Sequence, residues 1–134
     1  MFWRHHCFAV RGIETLAQDR VLRLDFIPIP TVTEPDWMGT AFVDSATSML
    51  RRVEFQITGL HENEVPQRLE GYTTFRSPSP FIVIPDSTVG LWWRREPGTY
   101  KPPWTGPDVV QLLQLLGVTY RKETPPAGES GERR

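Results

Sequence analysis

Few side chains in this sequence have a type and spacing suited to chemistry. His5, His6 and Cys7 place three soft or borderline metal ligands in a row, and His61 with Glu62 and Glu64 would complete a zinc site if the fold gathered them. Neighbouring side chains of a strand point to opposite faces, so only His5 and Cys7 would share one. No second cysteine and no His-x-x-x-His spacing accompanies them. A Cys-His nucleophilic pair would also need an orienting third group and an oxyanion hole, and neither is signalled. Asp25, Asp44 and Glu54 are candidates for paired carboxylates, a role that requires one of them to have its pKa raised by burial. The surrounding alternation instead puts Asp25 and Glu54 on polar faces, as solvated positions or as cross-strand partners for Arg23 and Arg52. Gly90, Gly98 and Gly106 lie within Trp- and Pro-containing sequence and form no phosphate-cradling loop. No catalytic residue, metal site or cofactor is assigned.

The most unusual local composition is Trp92-Trp93-Arg94-Arg95 followed by Tyr100, Lys101 and Trp104. Trp and Arg concentrate at binding hot spots, and Pro102-Pro103 would hold Trp104 outward, so Trp92, Arg94, Arg95, Tyr100 and Trp104 form the candidate ligand-binding set. The competing account has Trp93 in the core, Trp104 packed beneath a helix, and the arginines solvated at a strand end.

These residues need a scaffold, and the chain has 134 residues to build it, 39% hydrophobic and 23% charged. That is one domain able to form a core without disulfides, and the single Cys7 permits no internal bridge. A net charge of −1 argues against a polyanion-binding protein, so no nucleic-acid partner is expected. Met1 to Arg11 is interrupted by Arg and His and never forms a signal-peptide core. Phe26 to Pro30 and Phe81 to Pro85, the longest apolar stretches, fall far short of a membrane-spanning helix. The expectation is a soluble chain, cytoplasmic if Met1 is the genuine start.

Period-two alternation dominates the chain. Val53, Phe55 and Ile57 oppose Arg52, Glu54, Gln56 and Thr58, and Gly39 to Asp44 precedes them across the polar linker Ser45 to Ser48, which predicts an antiparallel hairpin over 39–58. Leu22, Leu24 and Phe26 alternate with Arg23 and Asp25 until Pro28-Ile29-Pro30, where an extended loop or ragged edge is expected, with an open sheet edge near 20–30. A first strand at His6 to Val10 would turn Phe8 and Val10 inward, with a loop or a helical turn from Gly12 to Asp19. Further strands are predicted at Arg68 to Arg76, at Phe81 to Ile84 after a Ser77-to-Pro80 turn, and at Thr88 to Arg95, where Val89, Leu91 and Trp93 oppose Trp92 and Arg94. The sum is about six strands in meander order.

One segment reads as a helix. Thr105 or Gly106 would cap it, Pro107 and Asp108 suit its first turn, Gly117 would stop it, and Val109, Leu112, Leu113 and Leu116 would share a face over about 107–116. The predicted class is α+β, mainly β: a curved or half-barrel antiparallel meander with one C-terminal helix packed on it. A single domain would cover 1–123, and the Pro-, Gly-, Glu- and Arg-rich 124–134 would be a disordered tail.

The stretches His6-Cys7-Phe8, Leu22 to Pro28, Gly39 to Thr47, Leu50 to Phe55, Thr58-Gly59-Leu60 and Gly71 to Phe75 together resemble the β-rich C-terminal part of bacterial carboxypeptidase-regulatory-like domain proteins, over about residues 5–96. The resemblance implies a meander like that of half-barrel lipoprotein-sorting domains, with no established catalytic residues. It also implies export, usually behind an N-terminal β-sandwich, and hence a periplasmic or cell-envelope setting. The function expected is a non-catalytic envelope-associated β-domain that binds or carries an apolar small molecule or a protein partner. The alternative is a small metal-binding protein or hydrolase using His5, Cys7 and His61.

Overall fold

A computed structural model describes residues 2–61, 68–93 and 107–117. After a short 3-10 turn at Phe2–Arg4, seven strands follow: β1 (His6–Leu16), β2 (Asp19–Pro28), β3 (Asp36–Asp44), β4 (Leu50–Thr58), β5 (Arg68–Ser79), β6 (Ile82–Trp93) and β7 (Val109–Gln114). Each pairs antiparallel with its sequence neighbour in one sheet of order β1 to β7, and the sheet does not close on itself. The predicted meander is therefore present.

The register produces rows of side chains running across the strands, because directly opposed residues share a face. One row reads Phe8, Phe26, Gly39, Phe55, Gly71, Gly90, Gln111, and the next on the same face reads Val10, Leu24, Ala41, Val53, Thr73, Thr88, Leu113. On the opposite face lie Ala9, Asp25, Thr40, Glu54, Tyr72, Val89 and Leu112. The alternation expected for β2 and β4 is thus realised as an apolar face and a mainly polar one.

Glycine is required at two positions of the first row. A Cβ on Gly39 would overlap the backbone carbonyl oxygen of Glu54 and touch the Phe26 ring. At Gly71 it would overlap the Val89 carbonyl oxygen and meet the Phe55 ring. Each phenylalanine therefore lies across the glycine of the adjacent strand.

Several elements depart from expectation. The segment predicted as a helix at 107–116 is strand β7, hydrogen-bonded along β6 and extended at its ends by Asp108 N donating to Trp92 O (2.9 Å) and Leu115 N to Asp86 O (2.8 Å). Its sequence, Val-Val-Gln-Leu-Leu-Gln, carries no period-two alternation, and each face of the strand receives two apolar residues and one glutamine. A helix this short is marginal alone, whereas the open side of β6 offers a backbone partner to every second residue. Val109, Leu112, Leu113 and Leu116 consequently share no single face.

β1 runs to Leu16, with no helical turn after Gly12, and a two-residue Ala17-Gln18 loop with Ala17 at φ 56° joins it to β2. The phenylalanine and valine predicted to point inward, Phe8 and Val10, are exposed. β2 lies between β1 and β3, so the sheet edges are β1 and β7, and the stretch near 20–30 is interior. The predicted strand at 81–84 begins at Ile82 and forms one strand, β6, with the following run, Pro85 being accommodated where the register shifts between Thr74 and Phe75. The turn before it falls at Pro80-Phe81, and Ser77 to Ser79 belong to β5. The proposed tail at 124–134 lies outside the described residues.

Among the described residues only Val21, Phe26, Phe42 and Trp93 are buried hydrophobics. A single layer of sheet leaves most of its apolar side chains half covered.

Candidate functional site

Local chemistry explains how the polar face is assembled. β1 carries a bulge between Val10 and Gly12, and Gly12 takes a φ of 116°. The extra residue, Arg11, reaches across to β2, where its Nε donates to Asp25 Oδ2 at 2.8 Å. Arg23 Nε donates to Asp25 Oδ1 at 2.9 Å, and Thr40 Oγ1 donates to the same oxygen at 2.8 Å. With three donors on one carboxylate, led by Arg23 and then Arg11 and Thr40, Asp25 is pushed down to about 2. Arg23 also contacts Glu14 at 3.3 Å.

Next to this cluster, Arg52 lies over the Tyr72 ring at 3.9 Å from its centroid. Its Nε is 2.9 Å from Glu54 Oε1, an ion-pair contact whose direction falls short of a hydrogen bond. Arg68 covers the Trp93 ring at 4.6 Å and pairs with Glu70 at 2.7 Å. An open depression of about 580 Å³ occupies this face, with Arg23, Asp25, Thr40, Arg52, Glu54 and Tyr72 among its lining. Arg23 pairs with Asp25 in its own strand and with Glu14 across to β1, while Arg52 pairs with Glu54 in its own strand.

Chemically the depression is a charge-balanced hydrogen-bonding surface. A general acid needs a carboxyl held protonated near neutral pH, and the donors on Asp25 hold it ionised. Asp44, the third carboxylate of the candidate set, works in a turn: Oδ1 accepts from Ala46 N (2.9 Å) and Thr47 N (2.8 Å), while Arg51 Nη2 donates to Oδ2 at 2.8 Å. Arg51 first, then those amides, lowers its pKa far below the usual carboxylate range.

The metal reading draws its residues apart. His5 precedes β1, Cys7 is exposed on it, and His61 follows β4, while Glu62 and Glu64 lie outside the described residues. Among the described residues no group of three His, Cys, Asp or Glu is placed to hold a metal ion. The histidine with a structural role is His6. Its ring stacks on Phe2 at 3.8 Å, with Nδ1 2.9 Å from the Phe2 carbonyl oxygen and Nε2 2.7 Å from that of Trp37. It ties the N-terminal turn to β3.

Of the five residues proposed to bind ligand, Trp92 alone is described, and Arg94, Arg95, Tyr100 and Trp104 lie outside the described residues. Trp92 is half-buried at the β6–β7 pairing and shares the apolar face with Leu69 and Val109. Trp93 is buried on the other face, as the core reading anticipated, and its Nε1 has no hydrogen-bond partner among the described residues.

The apolar face is the larger unassigned feature. Phe2, His6, Phe8 and Phe26 form a ring cluster on it, and Trp37 meets Phe55 edge-on at 5.3 Å. Phe8, Val10 and Ile13 are 46%, 63% and 55% exposed. Sequence reasoning identified the apolar stripes of β2 and β4, whereas the Val89, Leu91 and Trp93 it grouped in β6 lie on the opposite face. It missed the row that joins them, for which the alternating Phe and Gly of neighbouring strands were the available signal. No family model, curated protein or solved structure matches this chain. No helix of the described residues is long and apolar enough to cross a membrane.

Proposed function

We propose that this chain is a non-catalytic binding module whose uncovered apolar sheet face receives the apolar surface of a protein partner or companion domain. The observation that carries the reading is that face itself: aromatic and aliphatic side chains densest over β1 to β4, continued by Leu69, Trp92, Val109 and Leu113 among the glycines and threonines of β5 to β7, with no second layer over it among the described residues. A sheet with one hydrophobic face is stable in water when that face is buried against another layer. Size selects the occupant. Strands spaced about 4.8 Å apart and rising about 3.3 Å per residue make a face of roughly 30 Å by 30 Å. That matches the area of about 800 Å² per partner in a stable protein interface. Small ligands prefer enclosed pockets, so an apolar small molecule is the second reading.

The family resemblance supports a half-barrel curvature and a cell-envelope setting. The glycines at which Phe26 and Phe55 cross the sheet are compatible with such bending.

A photo-crosslinking residue placed at Val10, on the apolar face, and at Glu14, on the polar face, tests the reading in cells that make the protein. A discrete protein adduct at Val10 and none at Glu14 is expected. Lipid or small-molecule adducts alone at Val10 would favour the second reading. Equal labelling at both positions, or none at either, would overturn the proposal.

A further inference from the structure

β7 ends the sheet, and among the described residues nothing pairs with its outer side. Leu115 N donates to Asp86 O, and the pairing from Ser87↔Gln114 to Trp92↔Val109 runs without a shift. Antiparallel ladders alternate, so the odd-numbered residues exchange hydrogen bonds with β6 while Val110, Leu112 and Gln114 direct N–H and C=O outward. Sheet edges are ordinarily protected by charges, prolines or bulges. β1, the other edge, has Arg11, Glu14 and its bulge. β7 has none of these: from Val109 to Gly117 there is no charged residue and no proline. Val110, Leu112 and Leu113 are 62%, 64% and 57% exposed, so the edge is apolar on both faces.

Such an edge selects another strand that is itself uncharged and apolar on both faces, and β7 meets that description. We propose that two copies of this chain pair β7 to β7, antiparallel, about a two-fold axis perpendicular to the sheet and passing between the two Gln111 residues. Outward-facing even positions then meet even positions, as the ladder requires. Val110 lies opposite Leu112 of the partner subunit, Val109 opposite Leu113 of the partner subunit, and the Gln111 amides meet at the axis, where each offers both a donor and an acceptor. The absence of charge removes like-charge repulsion across the axis. The operation is closed and ends at a dimer, whereas pairing β7 to the charged edge β1 of another copy would propagate into an open filament. Because parity is kept, the apolar rows continue from one subunit into the other. The pairing concerns an edge and is independent of what covers the face.

Sedimentation of the full chain over a wide concentration range should show a reversible monomer–dimer equilibrium. Gln111→Lys and Gln111→Glu, each placing two like charges at the axis, should be monomeric with an unchanged melting temperature. Mixing these two variants should restore a dimer containing one of each. In a Cys7→Ser background, Gln111→Cys should form a disulfide-linked dimer on oxidation, and Val110→Cys should not. A wild-type chain that stays monomeric would overturn the proposal, as would a dimer that survives Gln111→Lys, a mixture that fails to reassociate, or open-ended oligomers.

Discussion

Gly39 and Gly71 are positions where a single methyl group decides whether two strands can approach. An alanine at either would press on the carbonyl of the neighbouring strand and on a phenylalanine ring. Overpacking of this kind costs about 1–3 kcal/mol. Gly39→Ala and Gly71→Ala should each lower the urea midpoint, while Gly117→Ala, with open space around the new methyl, should not. Asp25 supplies a prediction in pH. Its folded carboxyl is held at about 2, below the range of an unfolded aspartate near 3.9, so its contribution to stability is complete above about pH 4 and is lost as pH falls through about 2. Carboxyl titration by NMR should place its midpoint near 2, and Asp25→Asn should flatten the loss of stability between pH 4 and pH 2 relative to the wild type. Asp44 titrates in the same direction, so the double variant should be flatter still. The polar placement of Asp25 and Glu54 was legible from alternation. Arg23 and Arg52 were legible as their partners, but the geometry was not, since a bulge brought Arg11 into reach of Asp25 and the Arg23–Asp25 and Arg52–Glu54 pairs lie along the strands.

Elements differed in how plainly their sequences declared them. The β3–β4 hairpin was readable because Val53, Phe55 and Ile57 keep strict alternation and Asp44-Ser45-Ala46-Thr47 contains its own turn acceptor. β7 was not, because Val-Val-Gln-Leu-Leu-Gln lacks period-two alternation and has the spacing of a helical stripe, and Pro107, Asp108 and Gly117 are helix-boundary residues that serve equally at the ends of a strand. The competing pull came from β6, whose open side was invisible until its full length, across Pro85, was known. The assignment of β7 has an element-scale test. Amide exchange should protect Leu115, which donates to Asp86, and Asp108, which donates to Trp92. Gln111→Pro and Leu113→Pro should release the strand from β6, since each removes an inward donor, whereas Leu112→Pro should leave it paired. Equal damage from all three would contradict the pairing described.

Across the whole molecule, stability rests on paired backbone and half-covered side chains more than on a sealed core, which comprises Val21, Phe26, Phe42 and Trp93 among the described residues. A chain organised this way should be sensitive to what contacts its apolar side. Val10→Asp and Ile13→Lys, at exposed positions, should raise solubility and reduce binding of an environment-sensitive apolar dye, with a change in stability within about 0.5 kcal/mol. Unchanged dye binding would mean that the face is already covered in solution.

The order of pairing also has a consequence in time. Each strand is bonded to the one made immediately before it, and none waits for a distant segment. As the chain leaves the ribosome, β2 can fold back on β1, β3 on β2, and so on, so every newly emerged strand finds a finished template and itself becomes the next one. The unprotected strand is then the last of the described seven to be synthesised, and the growing sheet does not display its uncharged edge until the other six have paired.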